Sequence, residues 1–186
     1  MSQLHDELAT FDFDAFFAAV DLARRGHDLH WYALADELWD LSATLNAERD
    51  DHPLCGGAVS RLGARGETSC QYALYLLRWL EQPPEAFLVG PVAHVGDTQL
   101  PDPGPDSRLR WDLAQLHAAV NEQRQREGLT WAGLADQIGC TPGRLTGLRG
   151  ARMADMALTM RLTQWLHRPA ADFIHPASSG HRPDLL

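Results

Sequence analysis

The sequence predicts an all-α fold built twice from one helical unit, and three observations predict it. Sliding the chain by 100 residues sets Phe11–Leu38 on Trp111–Ile138 with 10 identities in 28 positions, among them Ala18/Ala118, Arg24/Arg124, Trp31/Trp131 and Leu34/Leu134. Ordinary residue frequencies would give roughly two. Sliding by 86 sets Val59–Leu88 on Leu145–Ile174 and matches Leu76/Leu162, Trp79/Trp165, Pro83/Pro169 and Phe87/Phe173. The change of offset leaves 14 extra residues in the first copy. Within both copies apolar residues recur three and four apart, the period of a helix with one buried face. The copies span 11–89 and 108–176. Between them, 90–107 is a semi-rigid linker, because Pro91, Pro101, Pro103 and Pro105 each lack a backbone donor and disfavour helix before them. Residues 1–10 and 177–186 read as tails.

Each element has a local reason. Phe13, Phe16 and Val20 mark the inner face of a first helix, answered in the second copy by Leu109, Leu113, Leu116 and Val120. Thr130 is placed to cap a short second helix carrying Leu134, Ala135 and Ile138, which ends at Gly139, where a positive φ is tolerated. Thr141 and Pro142 suit the N-cap and first turn of a third helix reaching Leu148. Asp155 caps a fourth helix holding Met156, Met160, Leu162, Trp165 and Leu166. Pro169 ends it, ahead of a short segment that buries Phe173 and Ile174. In the first copy Trp31, Leu34, Leu38, Leu41 and Leu45 step by 3, 4, 3 and 4, so its second helix is expected to run about two turns further, to near Asn46. The acidic stretch Glu48–Pro53 then breaks it. This stripe is expected to pack inside one monomer, with a seam for a partner as the alternative. The recurrent pairs Trp31/Trp131 and Trp79/Trp165 are expected in the core, since Trp buries a large apolar area.

Composition narrows the function classes. A chain of 186 residues can bury a core without disulfide or metal staples. No apolar run is long enough to span a membrane and no secretory signal is expected, so the expected location is cytoplasmic. The three cysteines, Cys55, Cys70 and Cys140, form no C-x-x-C pair and are expected to be reduced core residues. His27 and His30 lie three apart and His52 precedes Cys55, but no second pair completes a metal site, so neither metal nor cofactor is expected. With no Gly-x-Ser-x-Gly, P-loop or paired-carboxylate pattern, the chain does not read as an enzyme. Net charge is −9, and all 16 cations are Arg. Residues 1–90 hold 6 Arg against 15 acids, whereas 91–186 hold 10 of each. Phosphate contact is therefore expected from the second copy.

The run Leu129-Thr-Trp-Ala-Gly-Leu134-Ala135-Asp-Gln-Ile138-Gly139-Cys-Thr141-Pro-Gly-Arg144-Leu145-Thr146-Gly-Leu148 resembles the phage-repressor-type (Cro/cI, XRE) helix-turn-helix. It has Leu-Ala on the second helix, a hydrophobic-Gly pair at the turn, a Thr opening the third helix and two aliphatics three apart on it. The resemblance covers 109–168 well and 11–88 in diluted form. It implies two lambda-repressor-like bundles in tandem, the first degenerate, and a DNA-binding transcriptional regulator that contacts the major groove of double-stranded DNA through its C-terminal helix-turn-helix. By that resemblance the DNA-contacting residues are Thr141, Arg144, Thr146, Arg149 and Arg152, with Arg61 and Arg65 as a second contact from the first copy. The pattern departs at Pro142, Gly143 and Gly147, which offer no side-chain donor or acceptor to a base edge, and at Trp131, where the family often carries a phosphate-binding Gln. Readout then falls to the arginines, whose guanidinium groups can bond bidentately to guanine or phosphate. These departures, the charge and the insertion keep a second reading open: a protein-interaction scaffold or antitoxin-like adaptor that has lost base readout. In either reading the first copy could serve a homodimer or a protein partner.

Overall fold

A computed structural model describes residues 8–47 and 54–178. It is mostly helical, as expected, but two small two-stranded sheets accompany the helices. The first copy runs β1 (Thr10–Phe11), α1 (Phe13–Gly26), α2 (Trp31–Asp40), α3 (Ala43–Asn46), α4 (Gly56–Arg65), α5 (Cys70–Leu80) and β2 (Leu88–Val89). The second runs β3 (Arg108–Trp111), α6 (Leu113–Arg126), α7 (Trp131–Ile138), α8 (Pro142–Gly147), α9 (Met156–Trp165) and β4 (Ile174–Ala177). A 3-10 turn precedes β2 and another precedes β4, at Pro84–Phe87 and Ala170–Phe173. Among the described residues, no helix is long and apolar enough to cross a membrane.

The strands join the two ends of each copy. Thr10 and Phe11 pair antiparallel with Val89 and Leu88, and Arg108–Trp111 pairs with Ile174–Ala177. Next to each ladder the amide of Asp12 donates to the Phe87 carbonyl at 2.8 Å, and the amide of Asp112 to that of Phe173 at 2.8 Å. Two expectations are corrected here. Leu109 lies in a strand rather than on the first helix, because Asp112 caps that helix by accepting from the Gln115 amide at 2.8 Å and fixes its start at Leu113. Thr10 and Ala177 are paired strand residues and Ala9 is buried, so the ends of the described chain are not free tails.

Local sequence explains the helices. Asp12 caps α1 through the Ala15 amide at 2.9 Å, Thr130 caps α7 through Gly133 at 3.0 Å, and His30 caps α2 through its Nδ1. Gly139 closes α7 at φ 77°, a conformation that costs glycine little. Phe16, Val20, Leu34, Leu38, Leu116, Val120, Leu134 and Ile138 are all buried in one core that spans both copies. The apolar stripe of the first copy therefore packs inside the monomer. Its second helix does not run to Asn46, however. Helix α2 stops at Asp40 and α3 begins at Ala43, because polar side chains compete for the backbone there. The Asn46 amide donates to the Trp39 carbonyl at 2.6 Å, and the buried Ser42 hydroxyl donates to the Ser107 carbonyl at 2.8 Å. The segment Glu48–Pro53, with His52, lies outside the described residues.

The tryptophans are split. Trp165 is buried, while Trp31, Trp79 and Trp131 are half-buried against the core; of the thiols expected in the core, Cys70 is buried and Cys140 half-buried, but Cys55 is exposed at the start of α4. Both copies use them alike. Arg24 lies 4.4 Å over Trp31 and bonds the Leu29 carbonyl; Arg124 lies 4.6 Å over Trp131 and bonds the Leu129 carbonyl. Trp79 donates to Glu37 at 2.9 Å and Trp165 to Gln137 at 3.2 Å.

The copies meet in a reciprocal contact. Ser69 and Asp155 form an antiparallel bridge, the Cys70 amide donates to the Ala154 carbonyl at 2.7 Å, and the Met156 amide donates to the Thr68 carbonyl at 3.0 Å. Each residue in these pairs is 86 positions from its counterpart, so exchanging the copies maps the contact onto itself. That is the signature of an isologous, twofold interface. Helix α5 packs on β3, and α9 packs on β1, under the same exchange.

The linker is pinned at several points. Arg78 bonds the Leu41 and Gly104 carbonyls and, at 2.8 Å, the Ser42 hydroxyl. Burial lowers its basicity, with Asp102 opposing. Gln164, itself buried, accepts from the Ala93 amide at 2.8 Å. Arg108 is buried too, stacked 5.0 Å from the Trp39 ring centroid and bonded to Asn46. The described part of the insertion thus holds the linker and β3 against the first copy.

Candidate functional site

Helix α8 is reached from α7 by the turn Gly139–Thr141. Only Leu145, and Leu148 just beyond, turn inward, while Thr141, Pro142, Gly143, Arg144, Thr146 and Gly147 are exposed. Thr141 stands at the N-cap but its hydroxyl makes no cap bond. The Thr146 hydroxyl is turned back onto its own helix, donating to the Pro142 carbonyl at 3.3 Å. Arg149 and Arg152 follow, both exposed and neither ion-paired among the described residues.

Arg144 and Arg65 border one cleft of about 650 Å³ at the twofold contact. Its walls come from the α4 face carrying Ala58, Leu62 and Arg65, and from Glu67, Thr68, Ser69, Tyr72, Met153, Ala154 and Asp155, so two acids line it beside the two arginines. Arg144 pairs with Asp155 at 3.3 Å, half-exposed. Asp155 also caps α9 through the Ala157 amide at 3.3 Å. Burial pushes the Tyr72 hydroxyl above its usual range, with Arg65 opposing. Arg149 stands instead beside His117, whose ring stacks on Trp131 at 5.3 Å. Burial, then the charges of Arg149 and Arg124, lower the basicity of His117.

Of the first-copy arginines, Arg65 reaches the cleft. Arg61 is exposed, with its Nε donating to the Gly57 carbonyl at 2.8 Å. The structure thus brings Arg65 and Arg144 together and sets Arg149 against α6. Sequence reasoning missed Tyr72, Met153 and Asp155 as neighbours of the arginines. The offset of 86 aligned Ser69 with Asp155, but alignment alone does not say that aligned residues touch. Histidines offered as half of a metal pair have other partners: His30 caps α2, and the His27 ring lies 5.7 Å from that of Trp79.

The protein is thus a mostly helical chain with a twofold internal contact and, upon it, a cleft lined by two arginines and two acids. Compared with family models, curated proteins and solved structures, the chain matches none.

Proposed function

We propose that the protein is a DNA-binding transcriptional regulator made of two lambda-repressor-like helix-turn-helix bundles, with the second bundle contacting the major groove of double-stranded DNA. The observation that carries this reading is the exposure of α8: Thr141, Pro142, Gly143, Arg144, Thr146 and Gly147 face solvent, and Arg149 and Arg152 beside it are uncommitted to carboxylates among the described residues. A short exposed helix after a tight turn, flanked by arginines, suits a groove and its phosphates. In this reading Arg144, Arg149 and Arg152 bind phosphate or guanine, and the Thr141 and Thr146 hydroxyls lie at the same surface.

One observation favours a second reading, a protein-interaction scaffold or antitoxin-like adaptor. The exposed faces of Pro142, Gly143 and Gly147 carry no hydrogen-bonding side chain, and Arg144 is held by Asp155. A mobility-shift titration of mixed-sequence duplexes at two salt concentrations separates the two. The regulator should retard duplex, less so at the higher salt, and Arg149→Ala with Arg152→Ala should weaken the complex while leaving the circular dichroism spectrum unchanged. Absence of retardation at both salt concentrations would leave the scaffold.

A further inference from the structure

We infer that a cavity of the second copy is a docking site for an extended, proline-containing segment of a partner protein, whose backbone carbonyls accept from the side-chain amides of Gln164 and Gln137. Neither glutamine belongs to the surface proposed to meet DNA, so the site is independent of that reading.

The cavity holds about 370 Å³ and is lined by Leu8, Pro91, Ala93, Gln137, Gln164 and Trp165, together with His167. Gln164 is 1% exposed, and only half of its amide is used: its Oε1 accepts from the Ala93 amide at 2.8 Å, while its Nε2 is buried with no hydrogen-bond partner. A buried donor left unpaired is costly, and native proteins rarely keep one without something to meet it. The Gln137 Oε1 accepts from the Trp165 Nε1 at 3.2 Å, which leaves its own NH2 group to donate. Among the described residues no arginine lines the cavity. It offers neutral donors beside apolar surface, which suit carbonyl oxygens rather than an anion. Val92, between two of the lining residues, adds an apolar side chain that is half exposed.

The first copy shows what such a site holds. Gln164 corresponds to Arg78 and His167 to Glu81, each pair 86 positions apart, and Arg78 and Glu81 line a cavity of about 440 Å³. There the chain itself meets the donor. Arg78 donates to the Gly104 carbonyl at 2.8 Å and to the Ser107 carbonyl at 3.3 Å, and Gln99, Pro101 and Pro103 of the same segment line the cavity. Proline keeps that segment extended and out of any helix, so its carbonyls remain free to accept. The segment leads into β3, on which α5 packs, just as α9 packs on β1. Gln164 stands where Arg78 does and lacks the carbonyl that Arg78 has. An extended peptide supplies one, with backbone bonds giving it affinity and Leu8 and Trp165 selecting an apolar residue on it.

The test follows the side-chain amide resonances of the isotope-labelled full chain while an acetylated and amidated peptide copying residues 99–107 is added, and repeats the titration with the same residues in scrambled order. The copied peptide should shift the Gln164 amide saturably, with a dissociation constant below about 1 mM, and the scrambled one should not. Gln164→Glu keeps an acceptor for Ala93 and removes the donor, so it should weaken binding at least about tenfold. Gln137→Glu imitates Glu37 of the first copy, which accepts from Trp79, so the fold should hold while binding weakens about threefold or more. Titration at high salt screens the added charge in both variants. No saturable shift up to about 5 mM peptide, or affinity unchanged in both variants, would overturn the site. Residues 1–7 lie outside the described residues and precede β1 as 101–107 precede β3. If deleting residues 2–7 raises peptide affinity about tenfold, the chain's own start holds the site and the partner segment is overturned.

Discussion

The two copies share their scaffold and differ at their third helix. Capping aspartates, the Arg–Trp stack, the Trp hydrogen bond and the terminal strand ladder recur in both. The third helix does not. In the first copy it is ten residues long and presses close on its neighbours: a Cβ on Gly56 would lie 2.7 Å from the Tyr32 backbone, and one on Gly63 2.5 Å from the Phe17 ring. In the second copy the same positions are Pro142 and Arg149, and the helix has six residues with most of its side chains in solvent. One copy has used its third helix for packing, and the other leaves it available.

The largest expected effect tests whether the shared scaffold is one folding unit. Phe16 and its counterpart Leu116 are both fully buried in the continuous core. Phe16→Ala should cost about 3–5 kcal/mol and Leu116→Ala about 2–5 kcal/mol. Because the copies share that core and the reciprocal contact, each variant should still unfold in a single transition, seen by calorimetry. Two resolved transitions in either variant would mean that the copies fold independently.

Next in size is a pH effect located at the contact itself. Cys70 is buried there, and its counterpart is Met156, which does not titrate. Burial pushes the Cys70 thiol from its usual 9.0 up to about 11, with the Ala154 backbone bond opposing. Folding therefore holds the proton more tightly than the unfolded chain does. The contribution is fully present below about pH 9 and is lost as pH rises through about 11, amounting to about 2–3 kcal/mol at the far end. Chemical denaturation across that range should show the decline, and Cys70→Ala should flatten it. An equal slope in Cys70→Ala would place its source elsewhere.

What could be read from the sequence follows from these differences. The duplication was legible because its identities fall on caps, core positions and the Arg–Trp pair, which every copy needs. The strands were not, since two to four residues at the edge of a helical unit carry too short an alternation to register. The break after Asp40 was hidden because it depends on Ser107, 65 residues away. Arginine counting failed for a similar reason: Arg78 and Arg108 clamp backbone and side chains inside the molecule, while Arg149 and Arg152 face solvent. Composition cannot distinguish a clamping arginine from an exposed one. The cleft was invisible because the repeat shows which residues correspond, and contact between corresponding residues is a further fact of the fold.

The smallest expected effect bears on the cleft. Asp155 caps α9 and also holds Arg144, whereas its counterpart Ser69 caps α5 through the Tyr72 amide at 3.1 Å and carries no charge. Asp155→Ser makes the second copy like the first. Serine is a comparable N-cap, so the helix should hold. The ion pair removed is part-exposed, and such pairs are worth about 0.2–1 kcal/mol, so stability should change by no more than about 1 kcal/mol. Freed from its carboxylate, and with one negative charge gone from the face proposed to meet phosphate, Arg144 should bind duplex roughly two- to fivefold more tightly by fluorescence anisotropy. Arg144→Ala in the same background should cancel the gain. Weaker binding by Asp155→Ser would instead mean that Asp155 aims Arg144 at its target, and the asymmetry between Ser69 and Asp155 would then serve the DNA contact proposed for the second copy.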